Sequence, residues 1–235
     1  MNKSFILFKD VFKSFKSGGV PINALDGLDF EINKGEFVVI VGPSGAGKTT
    51  LLNLLGGMDS ATDGTILVDG VLISDFSERQ LTEYRRNDVG FVFQFYNLMP
   101  NLTAVENVEL AIEICKEPMS PAAVLESVGL SDQLKKFPAQ LSGGEQQRVS
   151  IARAVAKNPK LILCDEPTGA LDYETGKKIL KLLHTICKEK QKTVVLVTHN
   201  SALKEMADKV ISIKNGRATQ VKTNAKPKPI ELIEW

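Results

Sequence analysis

The chain has 235 residues, 43% of them hydrophobic, which is enough to bury a full α/β core, with or without a small second lobe, and makes covalent staples unnecessary. Its 29 Lys and Arg nearly balance 28 Asp and Glu, and a net charge of +1 gives no support for a nucleic-acid groove or an acidic partner. Cys115, Cys164 and Cys187 are odd in number and lack close pairing, which excludes a zinc or disulfide framework and implies a reduced, cytosolic compartment.

No run reaches the roughly 20 apolar residues of a membrane-spanning helix, and the start MNKSFILFKDVFKSFK breaks its apolar stretch too early for a secretory signal. If a membrane is involved, another chain is expected to cross it. From the amino end, FILFKDVF and LDFEI read as strands by their alternation, the second expected to follow a turn at Asp26-Gly27. FVVIV at 37–41 is continuously apolar and predicts a strand buried on both faces. It stops at Gly42, and the glycine-rich stretch to Gly47 opens a helix carrying Leu51, Leu52, Leu54 and Leu55. TILVDG and VGFVFQ are further strands around a charged helix at 78–86. From Thr103 the periodicity turns helical, and Pro118, Pro121 and Pro138 punctuate a mainly helical block, expected as a separate lobe, that runs to Gln140.

LSGGEQQRVSIARAVA predicts a helix capped by Ser142, with Val149, Ile151, Ala152 and Val155 on one face. LILCDE, KTVVLVTH and KVISI read as strands, with a helix between the first two. Strands alternating with helices predict a mostly parallel sheet, in which ligands sit at the carboxyl ends of strands, where Gly42, Asp165 and His199 fall. From about Ala218 the composition changes: Lys222, Lys226 and Lys228 accompany Pro227 and Pro229, and this tail is expected to lie outside the core. Its end, Ile230, Leu232, Ile233 and Trp235, is expected either to be disordered or to dock, amphipathically, on this chain or a partner.

Gly42-Pro43-Ser44-Gly45-Ala46-Gly47-Lys48-Thr49, followed by Thr50, fits the phosphate-loop pattern GxxxxGK[ST] between a buried strand and a helix. Glycines let the backbone curl so that its N–H groups point at phosphate oxygens without a Cβ in the way. Lys48 is placed to reach the β- and γ-phosphates, and the Thr49 hydroxyl to coordinate magnesium. LILCDE puts two carboxylates at the end of a buried strand, a costly place without a metal or a proton to move. Asp165 is the expected magnesium partner through water, and Glu166 the expected general base.

LSGGEQQR at 141–148, about 20 residues before the acidic strand, resembles the signature of ATP-binding cassette proteins. Gln94 in VFQ, Asp172 in GALD and His199 in VTH follow the family's order, and the resemblance covers nearly all of residues 5–216. It implies an α/β fold of the P-loop cassette type: a mostly parallel core sheet and antiparallel β subdomain from residues 1–96 and 141–217, a helical lobe at about 97–140, and a tail at 218–235. It also implies an ATPase using ATP and Mg2+, working as a head-to-tail homodimer. Each ATP would lie between the phosphate loop of one copy and Ser142, Gly143, Gly144 and Glu145 of the other. By the same resemblance Gln94 senses magnesium and the attacking water, His199 contacts the γ-phosphate, and Asp172 crosses the dimer interface. Phe15 is expected to stack on adenine where the family commonly has tyrosine, keeping the π-face and losing the hydroxyl. His184 matches no family position and reads as an ordinary helix residue.

The stretches LLNLLGGMDSATDGTILVDG, GFVFQFYNLMPNLTAVENVELAI and DEPTGALD resemble the MacB, LolD and FtsE subgroup, whose members serve macrolide or peptide efflux, lipoprotein release and cell division. That resemblance implies a separate MacB- or FtsX-like permease docking near 97–106, so that the ATPase sits peripherally on the inner face of the membrane. The alternatives are a role without transport, such as division regulation, or a cytosolic cassette in translation or DNA repair. Two cassettes in one chain, a coiled-coil insertion or zinc cysteines would favour the second, and none is seen in the sequence.

Overall fold

The structure, a computed structural model, describes residues 4–17 and 20–234; Trp235 of the amphipathic ending lies outside the described residues. In chain order the elements are β1 (Ile6–Ser17), β2 (Val20–Ile32), β3 (Phe37–Val41), α1 (Lys48–Leu55), β4 (Asp63–Val68), β5 (Val71–Leu72), α2 (Glu78–Asn87) and β6 (Val89–Val92). Then follow α3 (Ala104–Ile112), α4 (Pro121–Ser127), α5 (Gly143–Ala156), β7 (Leu161–Asp165), α6 (Tyr173–Glu189), β8 (Thr193–Thr198), β9 (Lys209–Lys214) and β10 (Arg217–Thr223). They build two sheets. One is antiparallel, in the order β2-β1-β4-β5; the other has six strands in the order β10-β9-β3-β8-β7-β6, parallel except for β10.

The apolar runs explain why the six-stranded sheet is covered on both faces. Successive side chains on a strand point to opposite sides. Phe37, Val39 and Val41, with Ile162, Cys164, Val194 and Leu196, join one core beside α5 and α6. Val38 and Ile40, with Leu161, Leu163, Val195 and Val197, join a second core against α1 and the antiparallel sheet. A continuous apolar sequence is therefore what a strand between two cores requires.

Asp26-Gly27 is not a turn. β2 runs through it, and the pairing with β1 slips between Val11↔Leu28 and Lys13↔Leu25, so the dipeptide forms a bulge within one long hairpin. The mainly helical block contains α3, α4 and short 3-10 turns at 131–133 and 138–140. Val108, Val124, Leu125 and Leu130 pack into the same core as Val149 and Ile151 of α5. The amides of Ala104 and Val105 at the start of α3 donate to the carbonyls of Lys136 and Leu134, which satisfies groups a helix start leaves open. Buried Asn107 bonds to the backbone of Met99, Leu102 and Thr103, folding the loop that precedes α3 onto it.

The expectation of a tail outside the core is corrected. Ala218 pairs with Ile213 inside the sheet, and Ile230 and Ile233 are buried in the core that contains α6. Tyr173 Oη donates to the Ile233 carbonyl at 3.0 Å, and Lys177 Nζ to the Glu231 carbonyl at 3.0 Å. The prolines and lysines at 226–229 belong to an extended strap: the Asn224 side chain holds the carbonyls of Lys204 and Ala207, and Lys228 pairs with Glu205 at 2.8 Å. Burial of two isoleucines outweighs the polar composition around them. Among the described residues no helix is long and apolar enough to cross a membrane.

Candidate nucleotide site

β3 ends at Val41 and the glycine loop turns into α1. A Cβ on Gly42 would lie 2.3 Å from the Ile213 carbonyl, so the loop closes against β9 only with glycine there. Gly47, at φ 101°, caps α1 in the left-handed region, and a Cβ on it would lie 2.4 Å from the Ala24 carbonyl. The Gly216 amide in the β9–β10 turn donates to the Ala46 carbonyl at 3.0 Å, propping the loop from below.

Residues 44–50 of this loop, Gln94, Asp165, Glu166, His199 and Ala24 line a single cavity of about 390 Å³. Lys48 is 9% exposed; its ammonium folds back to the carbonyls of Gly42 at 2.9 Å and Pro43 at 3.0 Å. Thr49 Oγ1 donates to Asp165 Oδ2 at 3.2 Å, joining loop and β7. Burial pushes the Asp165 carboxyl up and the neighbouring Glu166 charge adds to this, while the Thr49 hydrogen bond and the Lys48 charge pull it down.

Glu166 sits just beyond β7 with φ 47°, an uncommon conformation for a residue with a side chain. Its amide donates to the Val197 carbonyl and its carbonyl accepts from the Gly169 amide, both at 3.0 Å, and these bonds hold the turn. Its Oε1 accepts from the His199 amide at 2.7 Å and lies 2.7 Å from His199 Nδ1, while Oε2 accepts from Thr198 Oγ1 at 2.9 Å. A Cβ on Gly169 would lie 3.1 Å from Gln94 Nε2, so the loop after Glu166 passes close to the Gln94 side chain.

Ser142 caps α5 in a reciprocal box: its Oγ accepts from the Glu145 amide at 3.3 Å, and Glu145 Oε2 accepts from the Ser142 amide at 2.8 Å. The Ser142 amide foremost, and the Ser142 hydroxyl donating to the same oxygen at 2.8 Å, hold the Glu145 carboxyl below its ordinary range. Ser142, Gly143, Gly144 and Glu145 do not line the cavity of their own chain. Gly144 instead lets α5 approach α6, since a Cβ there would meet Thr175 Cγ2 at 2.4 Å. Asp172 caps α6 by accepting from the Thr175 amide at 3.0 Å, also outside the cavity. Phe15 is 44% exposed on the antiparallel sheet, with the Lys13 ammonium 4.9 Å from its ring centroid, and it too lies outside the lining. His184 packs against Phe37, ring centroids 5.7 Å apart, and burial lowers its pKa.

Three features escape a reading of the sequence: Ala24 in the lining, the β9–β10 turn under the loop, and the Thr198 hydroxyl on Glu166. Only Thr198 carries a sequence signal, a hydroxyl beside His199 at a strand end. A larger, mainly apolar cavity of about 520 Å³ lies elsewhere, among Val71, Phe76, Tyr84 and Lys160, and contains none of the residues above.

Residues 25–169 match the family model described as ABC transporter. The chain belongs to the ABC transporter ATP-binding family. The cassette is 45% identical, over 238 aligned positions, to a putative ABC transporter ATP-binding protein of Mycoplasma genitalium, covering 100% of this chain and 51% of that protein. It thus spans about half the length of that relative and of its Mycoplasma pneumoniae homologue, 50% of which is covered. The macrolide export ATP-binding/permease protein MacB of Brucella melitensis is 43% identical over 217 residues, 90% of this chain and 33% of MacB, consistent with the subgroup resemblance. Among solved structures, an ATP-binding cassette of Methanocaldococcus jannaschii, a dimer in a post-hydrolysis state bound to ADP and Pi, is 42% identical with a TM-score of 0.84, covering 93% of this chain and 98% of that one. The fold is that of an ABC ATPase cassette.

Proposed function

We propose that this cassette binds and hydrolyses ATP as a head-to-tail pair and drives a separate MacB- or FtsX-like permease, sitting peripherally on the inner face of the membrane. The observation that carries the reading is the convergence of Lys48, Thr49, Gln94, Asp165, Glu166 and His199 on one cavity, while Ser142 and its capped helix stand outside it. A polyphosphate fits the cradle: the loop is free of Cβ atoms at Gly45 and Gly47, the helix α1 starts beneath it, and the Lys48 ammonium rests on carbonyls it can exchange for phosphate oxygens. The donor set of Thr49 hydroxyl, Asp165 carboxylate and Gln94 amide oxygen suits Mg2+, which takes one or two protein oxygens and completes its shell with phosphate and water. When bound, Mg2+ would neutralise developing charge on the phosphates.

The chain's own residues do the rest. Lys48 holds the terminal phosphates, His199 turns its exposed ring to the γ-phosphate, and Glu166 Oε1 orients a water. The water oxygen bonds to phosphorus as the bond to the ADP oxygen breaks, and the water's proton passes to Glu166. Ser142, Gly143 and Gly144 of a second copy close the site with an N-terminal helix dipole, and Asp172 lies along the seam. Phe15 offers a ring face to adenine. The part of the helical lobe near 97–106 is where the permease would dock. The likeness to a dimeric cassette and to an ATP-binding/permease protein supports the pairing of cassettes and their coupling to a permease.

The test is Glu166→Gln. Hydrolysis should fall by about 10²–10⁴-fold, the range of a lost general base, while ATP still binds and drives dimers visible on a sizing column. Hydrolysis at the unaltered rate, or a strictly monomeric ATP-loaded variant at high concentration, would overturn the proposal.

A further inference from the structure

We propose that Thr198 is a positioning residue for Glu166, fixing its Oε2 so that Oε1 alone faces the attacking water. The inference rests on Glu166 acting as the base. Thr198 ends β8 and is 2% exposed, in register with Val41, the last residue of β3 before the phosphate loop. Its Oγ1 accepts from the Asn200 amide at 3.0 Å and donates to Glu166 Oε2 at 2.9 Å. A hydroxyl has one proton to give, and the amide already occupies one side of the oxygen, so the proton is directed at the carboxylate.

The two side-chain anchors of Glu166 differ in kind. His199 holds Oε1 from a loop, through its amide and through a ring that is 74% exposed, and only the ring leaves when it turns to a phosphate. Thr198 holds Oε2 from a strand paired on both sides, to β3 and to β7. It keeps the carboxylate registered to the phosphate loop through Val41 whatever the His199 ring does. The left-handed backbone at Glu166 gains a side-chain restraint that an exposed histidine could not supply. A base held on a rigid element keeps its distance to the water, and small misplacements of such a group are costly in rate.

Thr198→Val keeps the β-branched shape and removes the hydroxyl; Thr198→Ser keeps the hydroxyl. For the valine variant kcat should fall roughly ten-fold or more, the scale of one lost hydrogen bond to a charged group, with KM for ATP and Tm close to those of the parent. Serine should restore most of the rate. The loss should vanish in a Glu166→Gln background, where no carboxylate remains to be positioned. An unchanged kcat in Thr198→Val, beside an inactive Glu166→Gln, overturns the positioning role and leaves the base assignment intact. Equal losses in valine and serine variants with a raised KM also overturn it, because they report a disturbed strand end. An active Glu166→Gln overturns the base assignment itself, and is read from that variant alone.

Discussion

The two ends of the six-stranded sheet are built from similar residues and resolved in opposite ways. At the amino ends, charges are matched within the chain. Lys209 pairs with Glu36 at 3.1 Å and donates to the Glu31 carbonyl, the Phe37 amide donates to Asp208 Oδ2 at 2.7 Å, and Lys188 meets the same carboxylate at 2.6 Å. At the carboxyl ends Lys48 rests on two carbonyls, Asp165 on a hydroxyl, and Glu166 on a threonine and a histidine. No ion pair joins Lys48 to Asp165 or Glu166 among the described contacts, and burial raises the Asp165 carboxyl. One end is finished; the other holds charge that a ligand would complete.

The largest test of this contrast is Lys48→Ala. The substitution removes a cation that the fold does not neutralise, so hydrolysis should drop by about 10²–10³-fold, the scale of one transition-state donor, while Tm stays near that of the parent. A Tm loss comparable to that of a core deletion, with turnover retained, would show that Lys48 serves the fold and would remove the distinction between the ends.

The mirror substitution is Lys209→Met. Lys209 is 5% exposed, and removing its ammonium leaves the half-buried Glu36 carboxylate with the Asn33 amide and side chain as donors. Those two bonds soften the cost of an orphaned charge to about 2–3 kcal/mol, a Tm drop of roughly 5–10 °C for a domain of this size. Turnover per folded molecule should be unchanged. A variant as stable as the parent but slow in hydrolysis would place the ion pair in the chemistry instead.

The same contrast explains what the sequence makes legible. The phosphate loop is local: eight consecutive residues carry their own conformation, and Ser142 caps α5 through Glu145 three residues on. The central strands are legible because burial on two faces leaves unbroken apolar runs. The hydrogen bond from Thr198 to Glu166 joins residues 32 apart and depends on β7 and β8 lying side by side, which no spacing rule encodes. Asp26-Gly27 has the composition of a hairpin turn but sits mid-strand, where pairing with β1 turns the extra residue into a bulge. β10 is an exposed edge strand held by backbone pairing, so it shows little apolar alternation, and the strap after it is fixed by Ile230 and Ile233 meeting a helix more than 40 residues earlier.

The smallest test concerns Lys160, which pairs with Asp69 at 2.8 Å and Asp88 at 3.4 Å next to the amino end of β7. Lys160 and Asp69 are exposed and Asp88 is half-buried, so Lys160→Met should cost no more than about 0.5–1 kcal/mol, shrinking with added salt. The sign of its pH dependence is the sharper readout. The hydrogen bond from Lys160 holds the Asp69 carboxyl below its ordinary range, and Asp69 in turn holds the Lys160 ammonium above its own. A carboxyl lowered by folding stabilises the native state above its unfolded pKa, and that stability is lost as pH falls through the lowered folded value. The raised lysine contributes fully below its unfolded pKa and ceases to contribute as pH rises through the folded one. The Tm difference between parent and Lys160→Met should therefore be flat through neutral pH and close toward zero in acid, once Asp69 is protonated in both states. A difference that widens as the pH falls would mean that Lys160 is working against the charges around it, and the amino end of the sheet could no longer be called the finished one.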